Sequence, residues 1–94
     1  MGRDDVIETL RRNQDTLKQM GVRHLQLFGS VARGESGNDV DLLADFDEGV
    51  SLVRVARIER TLAEMLGTEV DLVQEGTLKE RVQERVAQEL VRAF

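Results

Sequence analysis

The chain has 94 residues, of which 13 are Lys or Arg and 18 Asp or Glu, giving a formal charge of −5. That length suits one domain with a single modest core and leaves no room for a second, and the acidic balance argues against non-specific DNA or RNA binding, which needs clustered cations. With no Cys there is neither a disulfide framework nor a thiolate metal site; the charged N-terminus lacks a signal-peptide core and no run is long enough for a bilayer, so a soluble, cytoplasmic protein is expected.

From Asp5 to Met20 the residues Val6, Leu10, Leu17 and Met20 recur at helical spacing, Asp5 with Glu8 suits a capped start, and Gly21 can end the helix. His24 to Phe28 reads as a short strand. Gly29 and Ser30 then open a small-residue turn, of the kind in which backbone N–H groups at a helix start can receive a phosphate. Val40 to Phe46 is a nearly continuous apolar run, as in a strand buried on both faces. Ser51 to Leu66 predicts a helix with Leu52, Val55, Ala56, Leu62, Met65 and Leu66 on its inner side, Ser51 as N-cap and Gly67 as the stop. Glu69 to Val73 is a third strand. Thr77 with Glu80 makes a capping box before a last helix that turns Leu78, Val82, Val86, Leu90 and Phe94 inward. The expected fold is a small α/β (α+β) domain in the order α-β-α-β-α-β-α, a mixed three-stranded sheet flanked by helices. With three Phe and no Trp or Tyr, its core is built from aliphatic residues and base-stacking platforms are not expected.

Connection lengths place the acidic residues. Only residues 29 to 38 separate the first two strands, too few for a parallel crossover, so as neighbours they run antiparallel and Gly29 and Ser30 lie beside Asp39 and Asp41. Side chains two apart on a strand share a face, which puts both carboxylates together. A whole helix joins the second and third strands, fitting a right-handed parallel crossover that brings Asp71 to the same edge. Paired carboxylates beside a phosphate-type turn suit Mg²⁺, which prefers oxygen ligands and is typically held by one or two carboxylates plus substrate phosphates.

The succession GSVARG, DVD on a strand and a later lone Asp in VDLV resembles the minimal nucleotidyltransferases of the DNA polymerase beta-like superfamily, over most of the chain. A protein of this size is similar to the MNT type, commonly paired in prokaryotes with a helical HEPN partner as the antitoxin half of a toxin–antitoxin module. The resemblance implies transfer of AMP from ATP, with Mg²⁺, to an acceptor hydroxyl, for the antitoxin branch a tyrosine of the toxin. It implies that Gly29 and Ser30 bind the β- and γ-phosphates, that Asp39 and Asp41 hold the metals, and that Asp71 ligates the catalytic metal and helps deprotonate the acceptor. Arg33 is placed to neutralise phosphate oxygens, and Gly34 to let the loop turn close to the nucleotide. Two departures stand out. The Gly-Ser and Asp-x-Asp pairs are about two residues closer than in the family, and Asn38 occupies a position where Ser is frequent. The rival reading is therefore a catalytically impaired nucleotide-binding or interaction protein that silences its partner by contact.

Other polar residues have plainer readings. Asp45 and Asp47 fall at the far end of the second strand and beyond it, and His24 at the edge opposite the site suits a surface role. Arg54, Arg57 and Arg60 read as a solvated helix face, as do Lys79, Arg81, Glu84 and Arg85. Self-association through an exposed sheet edge is compatible with the sequence, which specifies no symmetry.

Overall fold

The computed structural model describes residues 2–35, 39–75 and 90–94. Helices α1 (Arg3–Arg12) and α2 (Gln14–Gln19) lead into strand β1 (Val22–Phe28), a one-turn helix α3 (Gly29–Ala32), strand β2 (Asp39–Phe46), helix α4 (Leu52–Leu66), and strands β3 (Glu69–Gln74) and β4 (Val91–Arg92). The sheet has the order β3-β2-β1-β4, with β1 antiparallel to β2 and to β4, and β2 parallel to β3. Among the described residues no helix is long and apolar enough to cross a membrane.

The alternation along β2 fixes the sheet's orientation. Val40, Leu42, Ala44 and Phe46 are buried in one cluster with Leu25 and Leu27 of β1 and Ile58, Leu62 and Leu66 of α4, which sends Asp39, Asp41, Leu43 and Asp45 to the opposite face. Each large aliphatic side chain fully buried in that layer contributes about 1.5–3 kcal/mol. Helix α4 is delimited as its sequence predicts: Ser51 Oγ accepts the Arg54 N–H (3.1 Å), and Gly67 closes the helix in the left-handed region at φ 68°.

Four expectations are corrected. The first helix is not continuous from Asp5 to Met20: it starts at Arg3, after an N-cap Gly2 whose N–H donates to the Asp5 carboxylate (3.4 Å), and breaks at Asn13. The Asn13 amide donates to the Thr9 carbonyl (2.8 Å), a local bond that closes α1 and competes with continuing the helix. Second, α4 presents Ile58 to the core, whereas Leu52 is 85% exposed and Ala56 is also exposed. Of the other residues expected on its inner side, Leu62 and Leu66 are buried and Val55 and Met65 pack against the core, so helical spacing errs only at Leu52 and Ala56.

Third, the described residues form a sheet of four strands, not three. Fourth, most of the predicted last helix lies outside the described residues, and it does not continue to Phe94. Val91–Arg92 is a strand on β1, and Leu25 N–H donates to Phe94 O (3.2 Å) while Ala93 N–H donates to Leu25 O (2.9 Å). Arg11 Nε fastens this segment from the helical side by donating to Ala93 O (2.7 Å).

Candidate active site

The GSVARG segment makes its turn with an inside and an outside. Val31 and Ala32 are buried in the core, leaving Ser30 half-buried and Arg33 exposed. Gly34 N–H donates to Val31 O (3.0 Å) and Glu35 N–H to Ser30 O (2.9 Å), the paired bonds of a Schellman closure, which requires the left-handed conformation Gly34 adopts at φ 84°. A Cβ on Gly34 would meet nothing within 4 Å, so this glycine supplies conformation rather than a close approach.

Gly29 is different. It sits at φ 77°, and a Cβ there would collide with Asp41 Oδ2 and lie 3.1 Å from its Cγ. The register accounts for this, because Phe28 pairs directly with Asp41 across the antiparallel ladder. The Asp41 carboxylate therefore lies against the backbone that opens α3, where the first N–H groups of a helical turn have no partner within the helix.

The parallel ladder completes the edge. Asp41 pairs with Asp71, and Asp39 with Glu69. Residues opposite each other share a face, so four carboxylates from two strands project from one side of one sheet end. The Asp41 carboxyl is held above its ordinary range, first by burial, then by the charges of Asp71 and Asp39, with Arg33 acting in the opposing sense.

Among the described residues, no three Asp, Glu, His or Cys side chains converge into a ready-made cation cage. A Mg²⁺ ion does not need one, since it retains waters and takes ligands from a bound triphosphate. Under-compensated charge at Asp41 and an all-oxygen donor set fit such an ion, with Asp39, Asp41 and Asp71 as the carboxylates available to it.

The sequence pattern of the nucleotidyltransferase domain family matches residues 7–93, nearly the whole chain. The chain belongs to that family. Among this nucleotidyltransferase's relatives, the protein adenylyltransferase MntA of Thermococcus cleftensis is 41% identical over 76 residues, covering 79% of this chain and 77% of its own. A solved structure described as that of a minimal nucleotidyltransferase superposes with a TM-score of 0.82 at 34% identity, over 97% of this chain and 95% of the other. The fold is also shared with a chain of a solved structure described as a tri-AMPylated HEPN toxin of Shewanella oneidensis in complex with MNT antitoxin, at TM-score 0.61 and 17% identity, over 88% of this chain and 70% of that one. At that identity the likeness is one of fold alone.

Of the residues singled out in this nucleotidyltransferase's sequence, Gly29, Ser30, Asp39, Asp41 and Asp71 meet at one sheet end, while Asn38 lies outside the described residues. Arg33 stands beside them, its guanidinium turned toward Glu35 (Nη2 to Oε2, 3.3 Å). Asp45 and Asp47 are remote and both reach Arg23 (3.4 and 4.0 Å). His24 is exposed, its Nδ1 3.1 Å from Arg92 Nη2. Sequence reasoning overlooked Glu69. The Glu-x-Asp spacing of Glu69 and Asp71 repeats that of Asp39 and Asp41, and would have shown the second strand to be as acidic as the first.

Proposed function

We propose that this nucleotidyltransferase moves AMP from ATP, with Mg²⁺, to a hydroxyl of a HEPN-type partner protein and acts as the antitoxin of that pair. The observation that carries the reading is the register: Gly29 against Asp41, and Asp41 opposite Asp71, put a phosphate-type turn and carboxylates from two strands on one edge. The name of the 41% identical relative supports the reaction, and the HEPN complex sharing the fold supports the partner.

In this reading Gly29 and Ser30 receive the β- and γ-phosphates on backbone N–H groups, and the absence of a Cβ at Gly29 lets them come close. Arg33 neutralises phosphate oxygens and orients the triphosphate. Asp39 and Asp41 hold the divalent cation, which supplies positive charge at the phosphates where electrons accumulate. Asp71, on the neighbouring strand, helps hold it and accepts the proton of the acceptor hydroxyl. The oxygen–phosphorus bond forms at the α-phosphorus as the bond to the bridging oxygen breaks, and pyrophosphate leaves.

Titration calorimetry of ATP with Mg²⁺, together with transfer of radiolabelled AMP to the purified partner, tests this. Asp41→Asn is expected to abolish transfer with the fold intact; full transfer by that variant overturns the assignment. The short connection between Ser30 and Asp39 favours the second reading, inhibition by contact. That reading requires partner inhibition to survive Asp41→Asn without ATP.

A further inference from the structure

The phosphate-type turn carries an ion pair to which the proposed reaction gives no part. Arg33 and Glu35 stand on either side of Gly34, whose left-handed φ of 84° reverses the chain and lets their side chains meet. The carboxylate grips one edge of the guanidinium, with Arg33 Nε donating to Glu35 Oε1 at 3.4 Å and Nη2 to Oε2 at 3.3 Å. Such two-point contact fixes direction as well as distance. Both partners hang by their backbones from the residues expected to receive phosphate: Arg33 N–H donates to Gly29 O (3.2 Å) and Glu35 N–H to Ser30 O (2.9 Å). The Arg33 charge is also felt at the carboxylates, where it opposes the upward shift of Asp41.

The pair adds little to folding. Its side chains are 44% and 59% exposed, and exposed pairs are weakened by water and salt. Nor does the Glu35 charge favour a nucleotide, because it adds to the repulsion from Asp39, Asp41 and Asp71 in a chain of charge −5. What the pair supplies is orientation. We infer that Glu35 is a positioning residue of this site, holding the Arg33 guanidinium in the orientation in which it meets the phosphate chain, so that this long side chain is ordered before the nucleotide arrives. The inference rests on the nucleotide reading of the Gly29–Ser30 turn. Removing the Glu35 charge has two opposed effects on ATP. Loss of a like charge favours binding, and loss of order at Arg33 disfavours it. Salt screens the first effect and not the second, while ordering one such side chain on binding costs about two- to tenfold in affinity. At physiological ionic strength the net effect is weaker binding.

Titration calorimetry of ATP with Mg²⁺ at about 0.15 M salt, on the unaltered chain, Glu35→Gln, Arg33→Ala and the double variant, measures the coupling between the two residues. Glu35→Gln keeps the side chain's size and is expected to weaken ATP binding about two- to tenfold. In the Arg33→Ala background the same change has no guanidinium to release, and affinity should stay the same or rise. Without nucleotide, the Arg33 Nε–H resonance, assigned by its loss in Arg33→Ala, should show a lower heteronuclear NOE in Glu35→Gln. Urea midpoints should be close to that of the unaltered chain in every variant. ATP affinity unchanged or raised in Glu35→Gln, an unchanged NOE, or an equal loss of affinity in both backgrounds overturns the positioning role, the last by marking Glu35 as a structural part of the turn. An unaltered chain that binds no ATP overturns the inference together with the nucleotide reading. AMP transfer to the partner is scored separately, and its failure with the coupling intact counts against the adenylyltransferase reading and leaves the role of Glu35 standing.

Discussion

Gly29 and Asp41 constrain each other. Any side chain at Gly29 has both a left-handed φ of 77° and the Asp41 carboxylate against it. Gly29→Ala is expected to cost about 1–3 kcal/mol in urea unfolding and to lose ATP binding by calorimetry, whereas a change at Gly34, where a Cβ meets open space, costs only the backbone strain. Asp41 also has a pH signature. Burial, then Asp71 and Asp39, raise its carboxyl above the ordinary 3.8, so the folded state holds that proton more tightly than the unfolded chain. The resulting stability is fully present below the ordinary value and is lost as pH rises through the raised one. In metal-free buffer Asp41→Asn should therefore be more stable than the unaltered chain at neutral pH, with the advantage vanishing as pH falls below the ordinary carboxylate range. Urea midpoints measured against pH in the presence of EDTA give the comparison, and a constant offset would contradict the burial argument.

The elements differ in how their ends are secured. Helix α4 has a side-chain cap and a left-handed glycine, each a local device: Ser51→Ala should cost about 1 kcal/mol, and Gly67→Ala a comparable amount through strain alone, since its Cβ would meet no atom within 4 Å. Neither change should affect nucleotide binding. Strand β4 is secured from a distance. Its two residues pair with β1, and the Arg11 guanidinium donates to Ala93 O at 2.7 Å and reaches Arg92 O at 3.5 Å. Loss of a charged donor to a carbonyl typically costs about 1.5–3 kcal/mol, so Arg11→Ala is expected to destabilise the protein at the low end of that range and to speed amide hydrogen exchange at Ala93 and Phe94. Unchanged exchange there would mean that pairing with Leu25 alone holds the segment.

At the scale of the whole molecule, one aliphatic layer joins α1, α2 and α4 to the sheet. Leu62 is fully buried within it, and Leu62→Ala is expected to cost about 2–5 kcal/mol by lost transfer energy and the cavity left behind. A domain of this size has little reserve, so chemical denaturation should show a greatly lowered midpoint. The same layer supports the site from beneath, because Val40 and Leu42 anchor the strand whose alternate residues are Asp39 and Asp41. Partial loss of ATP affinity should therefore accompany the loss of stability.

Much of this molecule could be read along the chain, because its devices are local. The alternation in DVDLLADF sets which carboxylates share a face, Ser51 and Gly67 bound α4, and the short connection after Gly29 dictates an antiparallel return that brings Asp39 and Asp41 back to it. The family resemblance is also carried by contiguous motifs. Other features depend on distant partners and have no local signature. Asn13 breaks the first helix through a bond to Thr9, which apolar periodicity does not register. Val91 and Arg92 form a strand because the open edge of β1 and the Arg11 side chain satisfy their backbone, although the residues before them carry a helical pattern. Leu52 belongs to an amphipathic repeat yet stands exposed to solvent. Spacing along the chain determines which side chains can act together, whereas burial, the charge on Asp41 and its pairing with Asp71 exist only once separate segments exclude water between them.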